Sequence, residues 1–441
     1  GMSTPARELP TEADGPDGPV IDPDYPVTPV PGHARKSFFS LAVVLLGFTI
    51  FTPPMLAGAQ LGRAFSLDEL MLVILLGSIV LGAYVAALGY IGSKTGLTTV
   101  VMARYSLGTS GSKLASILLG GTQVGWYAVI IGTIGGLTAQ AFEWDSYPAK
   151  AAVMIVASAL MCLTACYGYR GMYWVSLVST PLIMVLACWV VAKSLDEVGG
   201  LSGLAEINPP SSMTTAVAVT IVVGTFVSAG TQAPNWTRFG RTGTQAVWAS
   251  LIGFLVGNGM MILFGAIGAI TYGEGDFVLV LYQLGLVGWG VFLLFGNLWK
   301  SNADTAYAFG VAGAELFHRP TKIPFVIGGS VIGTVLALVG AEKHLVDYLV
   351  LLGIFIPPLG GVIIGDYFAR WRGGMPEGTR LPGVNVANLA IYAVASALAW
   401  LSDRLEWGIP PVIGVVVALA LTFVVGRITT GRQSTNRQPV A

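Results

Sequence analysis

Charge is what this chain of 441 residues has least of: Asp, Glu, Lys and Arg together make up 10%, with 23 acidic residues against 23 basic ones. A soluble domain carries roughly a quarter charged residues, so a water-facing surface of ordinary composition is excluded. The balanced net charge gives no basic patch, and no nucleic acid is expected as a partner. Cysteine is almost as scarce. Cys162, Cys166 and Cys188 all lie in apolar segments, with no CxxC spacing and no paired framework, and they read as buried packing thiols rather than metal ligands. The three histidines, His33, His318 and His344, fall in expected tails or loops, which speaks against a histidine proton relay inside a membrane. The apolar segments hold neither a nucleophile beside a base nor a cluster of metal ligands, so no enzyme chemistry and no cofactor is expected. Repeated filters and charged rings, which a channel would need, are also missing. No signalling domain is appended.

What is present is apolar: hydrophobic residues make up 54% of the chain, and glycine is abundant at 58. Both suit a protein of many membrane-spanning helices, where glycine lets helices approach closely. Windows of about 20 apolar residues fit along the sequence twelve times. They cover 37–61, 69–92, 114–141, 147–168, 171–194, 214–234, 245–272, 284–316, 324–341, 345–368, 384–402 and 409–426, with 277–283 as a separate lid-like turn before the eighth. Residues 1–33, rich in Pro, Asp and Gly and without an apolar run, read as a disordered tail rather than a signal peptide. Alternating the loops between two sides puts 17 of the 23 Lys and Arg with the two tails and the even-to-odd loops. Arg63, Lys150, Lys193, Lys343 and Arg404 fall on the other side and Lys300 within a span, so both termini, 1–33 and 429–441, are expected to be cytoplasmic.

Two spans are expected to break. Pro53 and Pro54 remove two backbone donors from the first, which should open at about Phe51 to Pro54. The sixth contains the small and polar run Gly224-Thr225-Phe226-Val227-Ser228-Ala229-Gly230-Thr231. Breaks five spans apart point to two five-helix repeats of inverted topology with a site beside the unwound segments, because an odd repeat length reverses the second copy. The repeats would divide as 34–234, which also holds the start of the second repeat, and 235–370, with two further helices in 371–428. The eighth window carries the octet Asn297-Leu298-Trp299-Lys300-Ser301-Asn302-Ala303-Asp304. A lysine or aspartate at the bilayer centre costs about 2.5 to 3.5 kcal/mol on insertion scales, so such residues face a cavity or a partner. Asp304 stands one turn beyond Lys300, within reach of an ion pair. Asp366, after the tenth window's apolar run, is expected to pair with Arg370 or Arg372.

Several motifs together resemble the purine and cytosine permeases of the nucleobase-cation symporter family. They are Gly89-Tyr90-Ile91-Gly92-Ser93-Lys94-Thr95-Gly96-Leu97-Thr98-Thr99, Leu119-Gly120-Gly121-Thr122-Gln123-Val124-Gly125-Trp126, Ser228-Ala229-Gly230-Thr231, Arg238-Phe239-Gly240-Arg241 and the run Pro357 to Tyr367. The resemblance covers the ten-helix core, about Ala34 to Tyr367. It implies an all-α membrane protein with the leucine-transporter-type 5+5 inverted repeat plus two C-terminal helices. It also implies a bacterial cytoplasmic (inner) membrane location, a monomer in the lipid bilayer, and sodium-coupled import of a small heterocycle by alternating access.

Gln123 and Trp126, at i and i+3, share a helix face and match the family's base-binding positions; an indole offers a stacking plane and an amide offers both donor and acceptor. Phe226 would close the opposite face, Ser228 would bond the ring edge, and Asn297 matches the polar residue given by the eighth span. Thr225 stands where the most similar permeases carry Ser. An uncharged base, cytosine first, suits this set; uracil, hydroxymethylpyrimidine, a purine, allantoin or a hydantoin would need modest changes. The family's sodium ligands match the backbone of Gly47 and Phe51 and, on the eighth span, Lys300 and Ser301. An ammonium thus replaces a hydroxyl ligand and would repel sodium. One expectation is that the Lys300 ammonium occupies the ion position, giving sodium-independent or proton-coupled transport; the other is that Asp304 neutralises it beside a surviving Na+ site.

Overall fold

The computed structural model describes residues 29–168, 171–274, 276–374 and 380–436, and among them the only β pairing is an isolated bridge, Lys36 to Gly240. The rest of the ordered backbone is helical. Residues 1–28 of the expected N-terminal tail and 437–441 of the C-terminal one lie outside the described residues.

Eight helices are long and apolar enough to cross a membrane, and two bent pairs bring the number to ten. The bent pairs are span one, Phe38–Thr49 with Pro53–Gly62 (57°), and span six, Thr215–Gly224 with Val227–Thr237 (56°). The continuous spans are two (Leu67–Thr95), three (Lys113–Ala141), four (Tyr147–Tyr167), five (Leu177–Val198), seven (Gly243–Tyr272), ten (Ala341–Trp371), eleven (Val386–Arg404) and twelve (Pro410–Gly431). The eighth and ninth windows are also helical. The eighth runs from Val287–Leu293 through a π-helical turn, Leu294–Leu298, into Trp299–Leu316, and the ninth, Ile323–Leu338, has only 16 residues. The expected twelve spans therefore stand as ten by length and apolarity, with two further helices in the expected places.

Local chemistry sets the ends. Ser37, Thr98, Ser146, Thr214, Thr242 and Asn385 each accept from a backbone N–H in the first turn of the helix they precede. Gly96 and Gly273 close spans two and seven in the left-handed conformation. Phe277–Gln283 forms the separate short helix between spans seven and eight, capped by Asp276.

Two packing units emerge. Spans three, four, eight and nine share a core that includes Tyr127, Met154, Ala306, Phe309 and Val326. Spans one, two, six and seven pack on one another in a larger core. Backbones touch where glycine permits it: a Cβ on Gly58 would stand 2.0 Å from the Ile262 carbonyl oxygen, and one on Gly265 2.3 Å from that of Met55, so the second half of span one lies flush on span seven.

Two expectations need correcting. Cys162 and Cys166 are half-buried and Cys188 is exposed. An apolar neighbourhood does not imply burial in a membrane protein, whose outer face is itself apolar. The prolines of span one do not sit inside the unwound stretch but begin the second half-helix, at its first positions, where a missing N–H costs least. The break falls just before them, at Ile50 to Thr52. Asp366, 1% exposed, makes the expected pair: Arg370 Nε and Nη2 donate to its two oxygens, each at 2.9 Å.

Candidate substrate site at the two broken helices

The break in span one frees carbonyl groups. Ile50 N–H still reaches Leu46 O, but Phe51 N–H turns to Thr49 O and Thr52 N–H leaves the helix for Asn297 Oδ1 at 3.0 Å. Met55 N–H bonds Thr52 O rather than Phe51 O, and Pro54 has no N–H to offer Ile50. The carbonyls of Gly47 and Phe51, the two expected ion ligands, have thus both lost their helical donors.

Asn297, 4% exposed, lies in the π-helical turn of the eighth helix, and its Oδ1 also accepts from the Thr52 hydroxyl at 3.0 Å. It therefore caps the second half of span one, and no hydrogen bond to a described residue uses its Nδ2. The break in span six falls at Thr225 and Phe226. Phe226 packs edge-on against Phe51 (5.3 Å, 70°) and against Phe254 (5.6 Å, 78°). Trp126, 8% exposed, packs edge-on against Tyr348 at 5.7 Å. The two expected walls, Trp126 and Phe226, thus rest on different neighbours and are not ring partners of each other. Gln123 is half-buried one turn before Trp126.

Ser228 is committed to the protein. Its hydroxyl lies 2.7 Å from that of Thr122, and Thr122 donates to Leu119 O at 3.1 Å, so Ser228 is the donor between them. Tyr348 O–H donates to the Thr122 carbonyl. Thr122, Tyr348, Thr52 and Asn258 belong to this site and were not among the expected residues; polarity inside an apolar span, the signal that marked the octet, also marks Asn258.

Lys300 Nζ donates to Asp304 Oδ2, and the two side chains are 32% and 25% exposed. No hydrogen bond from Lys300 reaches Gly47, Phe51 or Ser301, so of the two expected arrangements the geometry has the ion pair. Ser301, 7% exposed, follows on the same helix, with its carbonyl accepting from Thr305 Oγ1. A separate apolar cleft of about 540 Å³ opens between the third, fourth and eighth helices, lined by Phe142, Trp144, Leu160, Phe295 and Trp299 among others. It lacks the convergent polar groups a base needs, and none of the expected substrate residues line it. No group of three or more His, Cys, Asp or Glu among the described residues could hold a metal ion.

The family described as permeases for cytosine/purines, uracil, thiamine and allantoin matches residues 29–426. The cytosine permease of Escherichia coli (strain K12) is 37% identical over 416 residues, 94% of this chain and 96% of its own length. The hydantoin permease of Microbacterium maritypicum is 24% identical over 88% of this chain and 86% of its length. Among solved structures, the inward-facing conformation of Mhp1 aligns with a TM-score of 0.80 at 19% identity over 96% of this chain and 98% of that one. A closed conformation of the same nucleobase-cation-symport-1 family transporter, with bromovinylhydantoin bound, gives 0.72 over 93% and 96%. An all-helical fold with two broken spans, matched end to end by these transporters, makes this chain a multi-pass membrane transporter of nucleobases rather than an enzyme, and it belongs to the family of permeases for cytosine/purines, uracil, thiamine and allantoin.

Proposed function

We propose that the chain imports an uncharged nucleobase, cytosine first, by alternating access of spans one, two, six and seven against the helices around span three. The observation that carries this is the set of groups at the two breaks: the ring planes of Trp126 and Phe226, the amides of Gln123 and Asn297, and no cation among them. A flat heterocycle takes stacking from the rings and paired donors and acceptors from the amides, while a carboxylate substrate would require an Arg or a backbone nest. Asn297 has spent its carbonyl on Thr52, so it meets the base as a donor through Nδ2.

For coupling, the reading is that transport does not need sodium. Lys300 stands where the family resemblance puts a hydroxyl ligand, and a fixed ammonium in the same helix turn as Ser301 disfavours a second cation. The Lys300–Asp304 pair supports a second reading, in which Asp304 neutralises and turns aside the ammonium, and the freed carbonyls of Gly47 and Phe51 with Ser301 still hold Na+.

Uptake of radiolabelled cytosine into proteoliposomes under inward sodium, inward proton and no gradient, for wild type and Lys300→Thr, separates them. Sodium indifference in wild type with sodium stimulation in Lys300→Thr is the expected result, and a proton response would make Lys300 the coupling group. Strong sodium dependence of wild type would establish the second reading instead. Absence of cytosine uptake under every gradient would overturn the choice of base.

A further inference from the structure

Span seven carries a polar residue that nothing so far explains. Asn258 is fully buried among Gly, Met, Ile, Leu and Phe side chains, and it is the first residue after the π-helical turn Leu251–Gly257. π-helical turns inside α-helices occur frequently at functional sites. Its Nδ2 donates to Thr225 Oγ1 at 2.9 Å, and the Thr225 hydroxyl in turn donates to Val222 O at 2.6 Å. Its Oδ1 is buried without a partner. One turn earlier on span seven, Phe254 packs against the Phe226 ring. Residues four apart on one helix thus grip two successive residues of the span-six break, one through a hydrogen bond and the other through a ring.

We propose that Asn258 is a positioning residue for the nucleobase pocket: it commits the Thr225 hydroxyl to the protein, so that Thr225 offers a substrate its methyl group, and it holds the Phe226 plane at the angle the break requires. This rests on the pocket assignment above. A side chain kept only for packing would be better as leucine, because an amide buried with its carbonyl unpaired destabilises the fold. What leucine cannot do is fix a hydroxyl. The arrangement repeats at the other break, where Asn297, also in a π-helical turn, bonds Thr52. Each discontinuous span is therefore tied at its break by an asparagine from a π-turn of a continuous helix.

The test is a double-substitution cycle in proteoliposomes, with Asn258→Leu, Thr225→Val and both together, on whichever of cytosine, uracil, hypoxanthine and hydantoin the wild type carries. Loss of one hydrogen bond predicts a rise in KM of about tenfold for Asn258→Leu, with kcat per assembled transporter within about twofold and no further rise in the double variant. Thr225→Ser, which keeps the hydroxyl, retains the dependence on Asn258. A purely structural role would lower the monodisperse yield and leave KM unchanged. An unchanged KM, or effects that multiply in the double variant, would overturn the proposal. Hydrogen exchange, which needs no substrate, supplies an independent readout: amides 225–231 exchange about tenfold faster in Asn258→Leu, and unaltered rates there count against the proposal even if the substrate choice is wrong.

Discussion

Ser228, Thr225 and Asn297 each spend hydrogen-bonding capacity on the protein before any substrate arrives: Ser228 on Thr122, Thr225 on Val222 and Asn258, Asn297 on Thr52. In a membrane interior this is expected, since a polar group left unpaired there is costly. What remains for a base is therefore a short list of donors and two ring planes. Away from the spans, one carboxyl is perturbed in a way that can be measured. Asp276 caps the helix Phe277–Gln283 by accepting from Val278 N–H at 2.8 Å, and burial pushes its pKa from the usual 3.8 up to about 6. Because the folded value is the higher one, the associated stability is full below pH 3.8 and is lost as pH rises through about 6. Asp276→Asn keeps an acceptor for Val278 without a charge. Its melting temperature in detergent should exceed that of wild type at pH 7, with the gap closing toward pH 4; a gap constant over that range would show that the carboxyl does not titrate there.

At the scale of elements, the two bends depend on what the broken halves lean on. Span one's second half has no space beside span seven: Gly58→Ala would press a methyl into the Ile262 carbonyl, a backbone group that cannot rotate aside. Overpacking of this kind typically costs about 1–3 kcal/mol, so a melting temperature lowered by several degrees and reduced membrane yield are expected. An unchanged melting temperature would mean that the seam is not tight. Both breaks were legible in the sequence, because Pro-Pro and a glycine-flanked polar run act locally on the backbone. Their partners were not. Thr52 and Asn297 are 245 residues apart, and Thr122 and Tyr348 226, and no periodic pattern links such positions. The cysteines failed for a related reason: hydropathy finds the span but not which side of it meets lipid. The Lys300–Asp304 pair was legible, being a spacing within one helix, whereas where that ammonium points depends on the fold around it.

Over the whole molecule, the polar contacts between the two packing units are few, and they lie at the site. Thr122 and Ser228 join span three to span six with hydroxyl oxygens 2.7 Å apart, close enough for sulfur atoms at about 2.05 Å after small adjustment. In a background with Cys162, Cys166 and Cys188 replaced by serine, Thr122→Cys with Ser228→Cys should form a disulfide under mild oxidation, stop uptake, and recover on reduction. Undiminished uptake in the oxidised protein would mean that these spans need not part during the cycle. The π-helical turns extend this logic to the path of the chain. Those at 164–168, 251–257, 294–298 and 367–371 close rings of five residues rather than four, so each stores a residue that the span's length does not require. Withdrawing one would leave the span as long as before but rotate everything beyond it by about 100°. In the eighth helix such a turn immediately precedes Trp299, Lys300 and Ser301. A one-residue deletion there would act as a dial, exchanging which side chain faces the freed carbonyls of span one while the bilayer registers no change.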